Sequence, residues 1–205
     1  MPKQYLLWNR CITACCSIWL WFTVGCTYNA YLTPLEKLPP ETQIGANTAG
    51  CLRDGDLLVP NDADIQLLNT SYNGIRLKQG LGFWPDKNDY WQLKIINTKG
   101  LNFYFMSLWI NNMSTGVGDY PLQQPDNTMP PDNYMELSIH GYGPEKLYYS
   151  GPHSGVIHVT RADLAPGTSI YSGTFQCTLY NIDNPSDSIQ ITKGRFDING
   201  LTLNQ

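Results

Sequence analysis

The amino-acid sequence predicts an all-β protein, either an antiparallel β-sandwich or a partly open barrel, that ends in a meander of strands. Turn-forming residues are abundant, with 18 Gly and 14 Pro, and 13 Tyr supply a residue type that favours strands. Several segments after residue 90 alternate apolar and polar residues, which is the period of a strand with one face on a core. Short strands joined by tight turns are therefore expected.

The first hairpin is predicted from residues 51–60, where Asp54 and Gly55 separate two apolar flanks. This dipeptide favours a type I′ turn because both central residues of that turn need a positive φ. Residues 90–97 follow as a strand. Its core-facing residues are Trp91, Leu93 and Ile95.

Residues 101–110 form a strand that is apolar on both faces, with Tyr104 on one face and Trp109 on the other. Such a strand must be central and covered on each side. Core packing accounts for this pattern, and a bound ligand or a partner on the second face is the alternative. Tyr104 and Trp109 are therefore candidate ligand contacts.

Residues 113–133 are rich in Gly, Pro, Asn, Asp and Gln and have no strand or helix period, which predicts a long loop. Long loops on β scaffolds often carry recognition. Tyr120 is the third candidate ligand contact, because its ring could stack on a sugar. The alternative is that the ring packs under its own loop.

The remaining strands are predicted at residues 134–140, 155–161, 171–179 and 188–198, and the last three form the meander. Within 188–198 the apolar positions change from odd to even numbers. A regular strand would place either Ile189 and Ile191 or Phe196 and Ile198 on the solvent face. A bulge is therefore expected at Lys193 and Gly194.

The N-terminal segment predicts export and lipid attachment. Lys3 and Arg10 precede an apolar run of 15 residues at 11–25, which is shorter than the ~20 residues of a membrane-spanning helix and fits a signal peptide. The run ends just before Cys26, the predicted lipidation site, and Cys15 is the alternative. The expected organisation is a lipoprotein signal peptide at 1–25, an extended tether at 26–44 and one β-rich domain at 45–205.

Cys51 and Cys177 are the two cysteines of the predicted domain. They are either a disulfide pair or two isolated small core residues. No cofactor and no metal site are predicted. The net charge of −4 does not favour binding to nucleic acid.

Three segments resemble an uncharacterised family of Bacteroidetes lipoproteins. They are LPPETQIGANTAGCLRDGDLLVP at 38–60, SGTFQ at 172–176 and ITKGRFDI at 191–198. The resemblance covers the two ends of the domain, while residues 62–151 match poorly. It implies export, lipidation and a β-rich fold, and it provides no catalytic residues.

The sequence contains none of the motifs GxSxG, HExxH or the phosphate-binding P-loop, so a non-catalytic protein is expected, with a glycan hydrolase as the weaker alternative. The predicted function is a lipid-anchored protein of the bacterial cell envelope, in the outer membrane and facing the periplasm, that acts in binding or assembly. Exposure on the cell surface is the alternative orientation. The alternative is a module that binds carbohydrate or an apolar ligand through the aromatic strand and the 113–133 loop. Expected partners are the membrane, through the anchor, and a glycan or an envelope protein.

Overall fold

The computed structural model describes residues 37–65, 70–79, 90–125, 133–163 and 167–203. The chain divides into two compact units, Met1–Leu35 and Glu36–Gln205, and the described residues belong to the second. The predicted signal peptide, with Cys15 and Cys26, lies outside the described residues. Within the described ranges there is no helix with the length and apolar character needed to cross a membrane.

The described part of the chain contains twelve β-strands and one short 3-10 helix at Met113–Thr115. The strands are β1 Thr48–Arg53, β2 Asp56–Leu58, β3 Ala63–Ile65, β4 Thr70–Tyr72, β5 Ile75–Gln79, β6 Tyr90–Asn97, β7 Phe103–Asn111, β8 Gly118–Pro121, β9 Tyr134–His140, β10 Lys146–Ala162, β11 Ile170–Asn181 and β12 Ser188–Asn199.

Ten of these strands form one antiparallel sheet in the order β2-β1-β12-β11-β10-β9-β7-β6-β5, with β8 paired to β10 beside this path. Strands β3 and β4 form a separate pair. The large sheet curls into a half-barrel, which confirms the predicted all-β fold. Its concave face holds the hydrophobic core.

Trp91 of β6 joins the two sides of the curled sheet. Its side chain is fully buried, and its ring centroid lies 5.2 Å from that of Phe196 on β12 and 5.9 Å from that of Tyr171 on β11. Burial of so large an aromatic side chain stabilises the fold by about 2–3 kcal/mol. The predicted inward direction of Trp91, Leu93 and Ile95 is confirmed, because all three have no exposed surface.

The predicted turn and the predicted bulge are both present. Asp54 and Gly55 have φ angles of 48° and 90°, as a type I′ turn requires. The pairing of β12 with β11 shifts between Phe175 and Cys177, at the expected bulge. The left-handed residue there is Lys193, with φ of 51°, whereas Gly194 is needed because a Cβ atom on it would lie 2.3 Å from the Phe175 ring.

The meander of β10, β11 and β12 is confirmed by antiparallel pairing of each neighbouring pair. Strand β10 is longer than predicted, since it begins at Lys146 rather than at residue 155. Its first half pairs with β9 and its second half with β8, a strand inside the predicted 113–133 loop. Residues 151–154 form an irregular stretch inside this strand, where the register with β11 shifts between Ser150 and Gly155 and His153 has a φ of 54°.

The carboxylate of Asp197 on β12 holds the segment before β1 against the sheet. Asp197 is 1% exposed. Its oxygens accept hydrogen bonds from side-chain hydroxyls and backbone N–H groups of five residues: Thr42 at 2.6 Å, Ser172 at 2.7 Å, Gly45 at 2.8 Å, Ile44 at 3.1 Å and Ala46 at 3.2 Å. We call this arrangement the Asp197 clamp.

Two consequences follow from the Asp197 clamp. Burial on its own raises the pKa of Asp197, but the hydrogen bonds from Thr42, Ser172 and the backbone outweigh burial and hold the pKa below its ordinary value.

In addition, the last residues of the predicted tether are packed on the domain, because Arg195 also donates to the Pro39 carbonyl at 3.2 Å. The packed part of the chain therefore begins before residue 45.

We expect Asp197→Asn to lower the free energy of unfolding by about 2–4 kcal/mol at pH 7, since an amide cannot accept all of these hydrogen bonds. A carboxyl with a lowered folded-state pKa stabilises the fold above its unfolded pKa, about 3.9, and the stabilisation disappears as pH falls through the folded pKa. Urea unfolding of the two proteins at several pH values measures this difference. Asp183→Asn, in an exposed turn, is the control. An equal loss for both variants would contradict the clamp.

Candidate functional site

Four turns meet at one end of the sheet because the strands that they join are antiparallel. They are the turns at 54–55, 98–102, 141–145 and 182–187. A cavity of about 420 Å³ opens among these four turns and the strand ends beside them. Its walls include Arg53, Tyr104, Tyr142, Lys146, Tyr148 and Asp187, and we call it the hairpin-end cavity.

Arg53 at the end of β1 forms one wall of this cavity. Its Nη2 lies 3.3 Å from Oδ2 of Asp56, and its guanidinium carbon lies 4.7 Å from the centroid of the Tyr104 ring. A cation over an aromatic face is attracted by the ring quadrupole, and the ion pair to Asp56 restricts the guanidinium further. Arg53 is thus held in place before any ligand arrives.

Asp187 and its neighbours form another part of the cavity lining. The Tyr148 hydroxyl, on a side chain only 2% exposed, donates to Asp187 Oδ2 at 2.9 Å. Lys146 Nζ lies 3.5 Å from the same oxygen. The cavity therefore carries fixed charges of both signs, and such a lining suits a polar ligand that has charged groups of its own.

Tyr142 stands at the rim of the cavity, in the sequence Gly141-Tyr142-Gly143-Pro144. It is 93% exposed. A tyrosine that projects from a glycine-flanked turn buries little of its own apolar surface, so it is available to cover a ligand. An aromatic residue in a turn is the sequence signal that would have identified this position.

The structure places the three predicted ligand contacts in three different environments. Tyr104 lines the hairpin-end cavity. Trp109 lies on the outer face of β7, and its ring is stacked on both sides, 5.0 Å from Tyr90 and 5.8 Å from Tyr134 between centroids. Because Trp109 is only 9% exposed, its faces are occupied by the protein itself.

Tyr120 is also occupied by the protein. It is buried, and its hydroxyl donates to the Gly116 carbonyl at 2.6 Å. This is the packing alternative, in which the ring lies beneath its own loop. Of the three predicted contacts, Tyr104 alone lines the hairpin-end cavity.

A Ser-His-Glu group lies beside the cavity on the β9–β10 hairpin. Ser138 Oγ is 2.5 Å from His140 Nε2 and donates to Glu145 Oε1 at 2.7 Å. A nucleophilic serine must instead donate its proton to the histidine, while a carboxylate holds the other ring nitrogen. In this arrangement Glu145 lies 3.3 Å from the same Nε2, so the group serves to fix the hairpin.

Residues 61–199 match the model of a family described as a domain of unknown function, DUF5025. The chain belongs to the DUF5025 family. The match spans the middle of the chain, which the resemblance from sequence left poorly matched. Comparison of the chain with curated proteins and with solved structures finds no match.

Most of the hairpin-end cavity lies within the DUF5025 match, including Tyr104, Tyr142 and Asp187. Arg53 comes from β1, which precedes the matched residues. Within the described part of the chain, no three His, Cys, Asp or Glu side chains are grouped so that they could hold a metal ion.

The two cysteines of the DUF5025 protein's sheet, Cys51 and Cys177, are free thiols in the structure. The disulfide alternative is not formed, since each sulfur faces a methionine of another strand. Cys51 Sγ lies 4.0 Å from Met106 Sδ, and Cys177 Sγ lies 3.5 Å from Met135 Sδ. Burial raises the pKa of Cys51 to about 12, although Arg53 opposes this, and burial together with Cys51 also raises the pKa of Cys177.

We expect Cys51 and Cys177 to resist iodoacetamide in the folded protein at pH 8, because burial and a raised pKa leave almost no reactive thiolate. Both should be labelled fully after denaturation in guanidinium. Peptide mass spectrometry of each residue measures the labelling. Recovery of a peptide pair joined through Cys51 and Cys177 under non-reducing conditions would contradict the free thiols.

Proposed function

We propose that this DUF5025 protein is a lipid-anchored, non-catalytic binding protein of the bacterial cell envelope. In this proposal Cys26 carries the lipid and the hairpin-end cavity binds the ligand. The observation that carries the binding role is the cavity itself, which joins tyrosines and fixed charges of both signs at one end of the sheet.

The anchor is supported by the N-terminal sequence. Lys3 and Arg10, the apolar run of 15 residues and Gly25 before Cys26 together fit a lipoprotein signal. Each buried CH₂ of an acyl chain contributes about 0.8 kcal/mol, so several chains on one cysteine hold a protein firmly. The resemblance to Bacteroidetes lipoproteins also supports it. In the Bacteroidetes lipoproteins that the chain resembles, an acidic run after the lipidated cysteine often marks export to the cell surface. No such run follows Cys26, and the resemblance therefore favours an anchor that faces the periplasm.

The ligand that fits the hairpin-end cavity is polar and carries charged groups. Arg53 and Lys146 can meet an anionic group, while Asp187 can meet a cationic one. The contacts of Arg53 with Tyr104 and of Asp187 with Tyr148 already hold these side chains in place. A site held in this way loses little side-chain freedom when the ligand binds, which favours affinity.

Assembly through protein contacts at the same end is the second candidate function. Leu101 and Tyr142 are 72% and 93% exposed on adjacent turns. Exposed apolar and aromatic side chains at the tips of turns favour a protein partner. Capture of a small polar ligand would support the binding function, whereas capture of a protein would support the assembly function.

We expect radioactive palmitate to label the protein in its native host, and Cys26→Ala to abolish the label. Cys15→Ala should leave it unchanged. Autoradiography of the immunoprecipitated proteins measures the incorporation. Label that survives Cys26→Ala and disappears with Cys15→Ala would move the attachment site to Cys15, and label on neither protein would refute the anchor.

We expect Tyr142→Ala and Lys146→Ala to weaken capture of the envelope ligand about tenfold each, the effect of losing a contact worth about 1.4 kcal/mol. The full-length proteins are incubated with host envelope extract, and the bound species are quantified by mass spectrometry. Val117→Ala, which is exposed elsewhere in the chain, is the control. Equal capture by all three variants would refute the hairpin-end cavity as the site.

A further inference from the structure

A second cavity, of about 320 Å³, lies against strands β10 and β11 and shares no lining residue with the hairpin-end cavity. Its lining includes the two tyrosines Tyr149 and Tyr180, together with Gln124, Pro152, Ile182 and Pro185. We call it the β10–β11 cleft. It includes Gln124, which lies near the middle of the 113–133 segment that the sequence predicted as a recognition loop.

The two tyrosines point away from the core. Met135 and Leu137 of β9 are fully buried in the core, so Glu136 between them faces the opposite side of the sheet. Glu136 is paired with Tyr149, and Tyr149 is paired with Tyr180. Residues paired across antiparallel strands share a face, so both rings lie on the outer face next to each other.

Gly151 allows the Tyr180 ring to lie close against β10. A Cβ atom at position 151 would come within 2.9 Å of the Tyr180 ring. The ring therefore rests against the backbone, yet Tyr180 remains 39% exposed. A supported aromatic ring with an open surface is a platform for the apolar face of a flat ligand.

Tyr149 is held by a hydrogen bond with the Glu136 carboxylate. Burial, and then the nearby Glu136, raise the pKa of Tyr149. The phenol therefore stays neutral near pH 7, and its orientation is fixed by Glu136. The cleft thus keeps a second aromatic ring in a defined position beside Tyr180.

Among the residues that the structure describes, nine line the cleft, and none of them is Asp, Glu, Lys, Arg or His, in contrast to the hairpin-end cavity. Asn181 is engaged within its own turn, because its Oδ1 accepts from the backbone N–H groups of Asp183 and Asn184. The Gln124 amide, on an exposed residue, offers both a donor and an acceptor to a ligand.

We propose that the β10–β11 cleft binds a neutral carbohydrate. Pyranose rings present C–H groups on one face and hydroxyls around the edge, which matches aromatic rings beside an uncharged amide. A charged ligand would lose its hydration in the cleft without gaining a partner of opposite charge. An added peptide strand does not fit either, because β10 and β11 are interior strands whose ladders are already paired.

The test is isothermal titration calorimetry of the full-length protein with cellohexaose, maltohexaose, xylohexaose, mannohexaose and chitohexaose. We expect at least one to bind at millimolar concentration or below. Tyr180→Ala and Gln124→Ala should each weaken that binding about tenfold or more, as expected for loss of a stacking or hydrogen-bonding contact. Gly151→Ala should also weaken it, by displacing the Tyr180 ring.

Val117→Ala, exposed and lining neither cavity, is the control and should leave sugar binding unchanged. Tyr180 and Gln124 are exposed, so these variants should fold, and thermal melts verify this. The proposal is overturned if no hexasaccharide binds, or if Tyr180→Ala and Gln124→Ala bind as tightly as the unaltered protein. Tighter binding of oligogalacturonate, an anionic sugar, would also overturn it. Loss of sugar binding in Tyr142→Ala alone would assign the sugar to the hairpin-end cavity instead.

Discussion

The five hydrogen bonds to Asp197 are the constraint on which the first wall of the candidate site depends. Backbone N–H groups at residues 44–46 have their acceptor in this one carboxylate, which fixes the path of the chain into β1. Strand β1 then pairs with β12 from Thr48 opposite Asp197 to Arg53 opposite Ile191. Arg53 reaches the hairpin-end cavity at the far end of the same strand. A buried carboxylate at one end of the sheet thus positions a guanidinium at the other.

The fold class could be predicted from sequence because strand period and turn chemistry are local. Asp54-Gly55 and the phase change around Lys193 each report a conformation that neighbouring residues impose. The first half of β10 could not be predicted in this way. Gly151 and Pro152 favour a turn locally, but pairing with β9 and β11 on either side overrides that preference. Strand β8 is not predictable from its own residues for the same reason, since among the described strands it pairs with β10 alone.

The site was predictable only in part, because it is assembled from turns that are distant in sequence. Tyr104 was identified from an apolar strand, and it lines the cavity. Tyr142 and Asp187 lie in turns, where alternation gives no signal, and only the strand order brings them to one end. Trp109 has the same sequence signal as Tyr104, but its position between Tyr90 and Tyr134 is decided by cross-strand neighbours. The strand period alone does not distinguish an aromatic residue that lines a cavity from one that is stacked between its neighbours.

The pairing of β1 with β12 also bears on where a working fragment of this protein can begin. The DUF5025 match starts at residue 61, after both β1 and β2. A fragment trimmed to the match would leave β12 as a long edge strand without a partner on one side. The residues Ile189, Ile191 and Phe196, which are buried in the full sheet, belong to this strand. Unpaired edge strands form hydrogen bonds with strands of other chains and so promote aggregation. A fragment that keeps β12 paired with β1 therefore begins upstream of the shared family sequence.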